Sequence, residues 1–151
     1  MSPYTILKFA HVFMAIIAVG FNISYSIWLP RATRDPQHLK FALEGVRMLD
    51  NRFANPAYAL LLLTGLAMIF TVSIPLTTLW IAAALVLYVA LLIVGIAFFT
   101  PTFRRQIAAL DAGGATAPDF LRLSRQSTTL GMISGVIVVL IIGLMVFKPQ
   151  L

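Results

Sequence analysis

Apolar residues run on for the length of a membrane-crossing helix four times in this sequence, over about 4–29, 56–73, 77–99 and 130–147. A helix needs about 20 such residues to cover the hydrocarbon core of a bilayer. Lys8 and His11 interrupt the first run. Pro56 suits the first helical position of the second, where its missing N–H costs nothing. Only Ile74, Pro75 and Leu76 part the second run from the third, which predicts a tight antiparallel hairpin.

Between the runs the pattern changes to helical amphipathicity. After Asp35–Pro36, an N-cap and first-turn pair, Leu39, Ala42, Leu43, Val46, Leu49 and Phe53 recur on one face. Lys40 and Glu44 stand one turn apart on the other face. This segment, about 36–53, reads as a helix lying on a membrane surface or folded against the bundle. A second, about 101–125, opens at Thr100–Pro101 with Phe103, Ile107 and Leu110 on one side and pauses at Gly113–Gly114. Thr116 to Asp119 resembles a capping box for a helix that runs into the fourth span. The fold expected is all-α: one membrane domain over residues 1–151, a four-helix transmembrane bundle with two amphipathic cytoplasmic helices.

Composition agrees. Of 151 residues, 60% are hydrophobic and 11% charged, too greasy for a soluble domain of this size. The lack of cysteine excludes disulfides, iron–sulfur clusters and cysteine nucleophiles. Eleven Lys+Arg against five Asp+Glu could suggest nucleic acid, but there is neither a stacking platform nor a basic soluble module. The cations sit in two loops instead: Arg31, Arg34, Lys40, Arg47 and Arg52 in one, Arg104, Arg105, Arg122 and Arg125 in the other. By the positive-inside rule both loops face the cytoplasm, which puts both termini on the outer, periplasmic side of a bacterial inner membrane. Trp28 and Trp80 then anchor opposite surfaces. A signal peptide is the other reading of the first run, but no small-residue cleavage site follows before Pro30, so a retained span is expected.

The halves echo each other: Trp28-Leu29-Pro30 with Arg31 and Arg34 resembles Phe99-Thr100-Pro101 with Arg104 and Arg105. A parallel internal repeat and convergence on one helix-end recipe both account for this.

Chemistry is sparse. No span holds Asp or Glu, and no Walker loop, GxSxG elbow, HExxH or dinucleotide fingerprint occurs, so the sequence points away from catalysis and from a metal site. His11 is the informative residue, because an ionisable group inside a membrane faces a partner, a cavity or a cofactor. Its helical stripe continues through Ala15, Ala18, Asn22 and Ser26. Three readings stand: a hydrogen bond to a neighbouring helix, an axial ligand of haem b, or handling of a proton or substrate. His38 lies at the far side of the membrane, so a second haem ligand would be a methionine such as Met14, Met68 or Met132, or come from another subunit. Gly131 and Gly135 form a GxxxG that suits close helix packing, as do Gly65 and Gly95 elsewhere. Asn22, Asn51 and Asn55 should face protein or the interface, and Tyr88 should find a local acceptor.

The opening Leu7-Lys8-Phe9-Ala10-His11-Val12 with Gly20, the Thr64-Gly65-Leu66-Ala67 step and the Pro101 to Arg105 exit resemble domain-of-unknown-function 2269, a family of small bacterial integral membrane proteins. That resemblance covers most of the chain and implies no reaction. The first span is also similar to those of CopD-type and HemJ-type membrane domains. In the latter a first-helix histidine, matched by His11, acts at haem together with a third-helix lysine, and the third span here has no lysine.

Three functions follow as expectations. The first is a non-catalytic accessory or scaffold subunit packed against a larger inner-membrane complex, respiratory or redox. The second is a haem b protein for electron transfer or tetrapyrrole oxidation. The third is a small-molecule or ion carrier, disfavoured by the lack of carboxylates and other ionisable pathway residues in the spans. The partners expected are the lipid bilayer and either a membrane protein or a second copy of the chain.

Overall fold

The computed structural model describes residues 2–149. Its six α-helices assemble into four long rods, each long and apolar enough to cross a membrane. No strand occurs among the described residues. The rods form two helical hairpins. In the first, α1 (Pro3–Ala32) turns through Thr33–Asp35 into α2 (Pro36–Leu49) and α3 (Asn55–Val72). In the second, α4 (Leu79–Leu92) and α5 (Thr100–Gly113) turn into α6 (Pro118–Phe147).

The amphipathic segments are not separate from the spans, as the pattern predicts, but continuous with them. α2 joins α3 through a π-helical turn, Asp50–Ala54, and α4 joins α5 through another, Ile93–Phe99. Each turn directly precedes an X–Pro step. Proline lacks an N–H and its ring crowds the carbonyl four residues back, which in an ordinary helix kinks or ends it. Here the residue before each proline donates five residues back instead, Asn55 to the Asp50 carbonyl and Thr100 to that of Gly95. The wider turn accommodates the ring, and the rods continue. Pro56 is thus an interior residue of a 37-residue rod rather than its start.

Pro30 also departs from expectation. It lies inside the last turn of α1, which runs on to Ala32. Its structural counterpart is not Pro101, because Pro101 shares its π-turn setting with Pro56. The two predicted caps differ as well. Asp35 makes no cap bond, and its carboxylate lies 2.7 Å from Nδ1 of His38. α6 begins at Pro118 without a side-chain cap, and Asp119 pairs with Arg122. Gly113 and Gly114 do end α5. Gly114 holds φ +79, in the region that favours glycine, and a Cβ on Gly113 would meet Ala117 at 2.8 Å.

The expected tight pairing of the second and third spans is replaced by another arrangement. α3 packs along α1, and α4 along α6. The link between α3 and α4 starts with Ser73 in the left-handed region (φ 54). Ile74 N–H bonds the Ile69 carbonyl and Ser73 N–H that of Phe70, a Schellman end made with serine in place of glycine.

The hairpins meet at their basic end. There Leu39, Leu43 and Val46 of α2, Phe103 and Ile107 of α5, Phe120 of α6 and Tyr25 of α1 form the buried core. The apolar face of α2 is therefore folded against the bundle rather than left to a membrane surface. Lys40 ties α2 to α5 through Asp111 at 2.7 Å, while its pairing with Glu44 is looser at 3.9 Å. Towards the other end little is buried: the most apolar stretch of α6 has no buried residue. Side chains such as Phe9, Ile16, Val136 and Val139 face outward, as a lipid-solvated surface requires.

Candidate functional site

The α1–α3 seam carries the polar residues of the apolar region, in two groups. The outer group is built on His11. Its Nδ1 lies 3.1 Å from Oγ1 of Thr64. A hydroxyl has one hydrogen, and Thr64 donates it to the Leu60 carbonyl at 2.7 Å, with the Leu61 carbonyl at 3.1 Å. While Thr64 donates there, its oxygen can only accept from His11, an arrangement that calls for the proton on Nδ1. No hydrogen bond engages Nε2 among the described residues, and its lone pair remains free.

Gly65 makes this seat. A Cβ there would stand 3.0 Å from Cε1 and 3.4 Å from Nδ1 of His11, closer than carbon atoms pack without strain. The imidazole therefore lies with Cε1 close against the backbone of α3, in space that any other residue would fill. Thr64-Gly65 is a two-residue receptor for one ring, contributed by a neighbouring helix.

The inner group lies about 16 Å further along α1, at 1.5 Å per residue. Asn22 donates from Nδ2 to the Ala18 carbonyl and to the Tyr58 hydroxyl, both at 2.9 Å. Tyr88 of α4 donates to the Tyr58 carbonyl at 2.6 Å, which ties the second hairpin to the first. Just below, Asn55 donates to Asp50 across the π-turn at 3.2 Å. Tyr58 is the residue that sequence reasoning missed, since a lone tyrosine beside a proline carries no signal of its own. Ser26 leaves the expected inward stripe, for it is exposed and bonds the Ile23 carbonyl of its own helix.

Among the described residues three buried polar atoms have no partner: the Tyr25 hydroxyl, Oε1 of Gln106 and Oγ of Ser127. They come from α1, α5 and α6. The predicted GxxxG is brought against nothing. Gly131 and Gly135 are both exposed, with open space where a Cβ would stand. Gly95 has the same open surroundings inside its π-turn. His38 stays at the basic end, with Asp35. No group of three His, Cys, Asp or Glu side chains able to hold a metal occurs among the described residues.

A metal-binding histidine characteristically donates its other ring nitrogen to a fixed acceptor, as His11 does to Thr64. The chain brings no second histidine to that end.

The family described as "Predicted integral membrane protein (DUF2269)" matches residues 5–149. No curated protein and no solved structure matches the chain. With nearly its whole length matched, the chain belongs to that family of predicted integral membrane proteins.

Proposed function

We propose that this integral membrane protein is a non-catalytic accessory or scaffold subunit that docks through α6 to a second membrane protein or a second copy of itself. One observation carries the reading. The Gly131–Gly135 face is a small-residue surface of the kind that lets helix backbones approach closely, and nothing among the described residues covers it. Lipid tails fill such a shallow face poorly, and a partner helix fills it well. The basic end of the bundle faces the cytoplasm of a bacterial inner membrane and both termini face outward, on the distribution of arginines. The test is the mass of the protein extracted in native nanodiscs. A stoichiometric complex or oligomer agrees with the proposal, and a lone 16.6 kDa chain contradicts it.

A second reading is favoured by the His11 seat: haem b held by Nε2 of His11, for electron transfer or tetrapyrrole oxidation. Haem would supply the redox chemistry. Thr64 would fix the tautomer and Gly65 the room for the ring. The test is an absorption spectrum of the purified protein, oxidised and then reduced with dithionite. The reading requires a Soret band that His11→Ala abolishes, and a colourless folded protein refutes it.

A further inference from the structure

Near the basic end of the bundle, beside the two π-turns, a narrow cleft is lined from both rods. One rod contributes Arg47, Asp50 and Asn51, and the other Phe99, Thr100 and Arg104. Arg47 and Asn51 also line an adjoining open groove of about 340 Å³, together with Arg52, Glu44 and Met48. Cleft and groove thus adjoin at Arg47 and Asn51, and the depression they border carries Arg104 on the cleft side and Arg52 on the groove side. Arg47, Arg52 and Arg104 make no ion pair among the described residues, although two carboxylates stand nearby. Asp50 is engaged by Asn55, and Glu44 lies towards Lys40. Unpaired arginines that line one cleft from two helices suit the oxygens of a phosphate, which their planar forks match in pairs.

The depth of the depression decides whose phosphate this is. Asn51 and Arg52 precede the apolar run that begins at Pro56 by about 6–8 Å of helix, and Arg104 follows Phe99 by about 8 Å; Arg47 stands about 14 Å out and reaches the same level along its extended side chain. The headgroup layer of a bilayer extends about 5–8 Å beyond the hydrocarbon on each side. Exposed Met48 and Phe53 flank the arginines and offer apolar surface to an acyl chain.

We propose that the depression beside the π-turns is a specific site for the phosphate of an anionic phospholipid, held by Arg47 and Arg104 from opposite rods, with Arg52, Asn51 and Thr100 as supporting donors. The π-turns that accommodate Pro56 and Pro101 thereby also shape a lipid-binding notch, and the lipid bridges the two hairpins.

Binding is measured by native mass spectrometry of the whole chain, titrated with phosphatidylglycerol, phosphatidylcholine, glycerol phosphate and inorganic phosphate. Phosphatidylglycerol should bind, and the double variant Arg47→Gln/Arg104→Gln should weaken it by about tenfold or more, given the worth of a basic residue near an anionic surface. The charge-matched Arg31→Gln/Arg34→Gln should weaken it less than about threefold, since diffuse attraction alone is lost there. Equal losses in the two variants would mean non-specific attraction and overturn the site. Glycerol phosphate or inorganic phosphate competing as well as the lipid would overturn the assignment to a lipid. Should the glutamine pair misfold, Arg47→Lys/Arg104→Lys retains the charge but not the fork. Partial loss of binding there supports the site, and unchanged binding refutes it.

Discussion

Replacing Gly65 with alanine sets two effects of similar size against each other, and the balance reports on the His11 seat. Alanine is the better helix former by about 1 kcal/mol. Its Cβ would stand 3.0 Å from Cε1 of the imidazole, where ordinary carbon contacts begin near about 3.5 Å. The ring must therefore move by about 0.5 Å. Such a shift takes the 3.1 Å bond to Thr64 to the limit of a hydrogen bond, worth about 0.6–1.7 kcal/mol between membrane helices. Forcing the side chain off its rotamer adds about 0.5–1.5 kcal/mol. Gly65→Ala alone should then change stability by no more than about 1–2 kcal/mol, in the destabilising direction. With the ring removed by His11→Ala, the same substitution should stabilise by about 1 kcal/mol. The coupling in the double-mutant cycle is the quantity predicted, about 1–3 kcal/mol. Unfolding of the four proteins in mixed micelles, followed by circular dichroism, measures it. Additivity to within about 0.5 kcal/mol would refute the close approach of ring and backbone.

Two other perturbations follow from the same geometry. Tyr88→Phe removes the bond to the Tyr58 carbonyl and should cost about 1 kcal/mol in that assay, with the hairpins more readily separated by limited proteolysis. An unchanged protein would mean that this bond does not join them. The His38 ring beside Asp35 holds its carboxyl below the usual carboxylate range. This pairing contributes stability above that range and loses it as pH falls through the lowered value. Carboxyl titration by NMR should show the midpoint rising toward the ordinary value in His38→Ala, and an unmoved midpoint would refute the pairing.

The four rods are legible in the sequence because a long apolar run has few alternatives to a lipid-solvated helix. The buried face of α2 is legible for a similar reason: Leu39, Leu43 and Val46 recur at helical spacing, and burial only had to choose between lipid and protein. The π-turns are not legible. Proline reads as a break, and nothing local says that the turn before it will widen so that the rod can continue. The His11 seat is half legible. A histidine in a span asks for a partner, but Thr64 and Gly65 are ordinary residues of another span until packing brings them under the ring. The GxxxG is legible as a packing surface, but its spacing does not say whether the neighbour belongs to the same chain, and the described residues leave it open.

That open face is the point on which the account most depends. The chain has no cysteine, so single cysteines can be placed in an otherwise inert background. Gly135→Cys on α6 and, as a lipid-facing reference, Ile16→Cys on α1 would be treated in native membranes with a short bifunctional thiol–photoreactive cross-linker. The account predicts one discrete protein adduct from position 135 and none from position 16. Lipid-only labelling at both positions would contradict it.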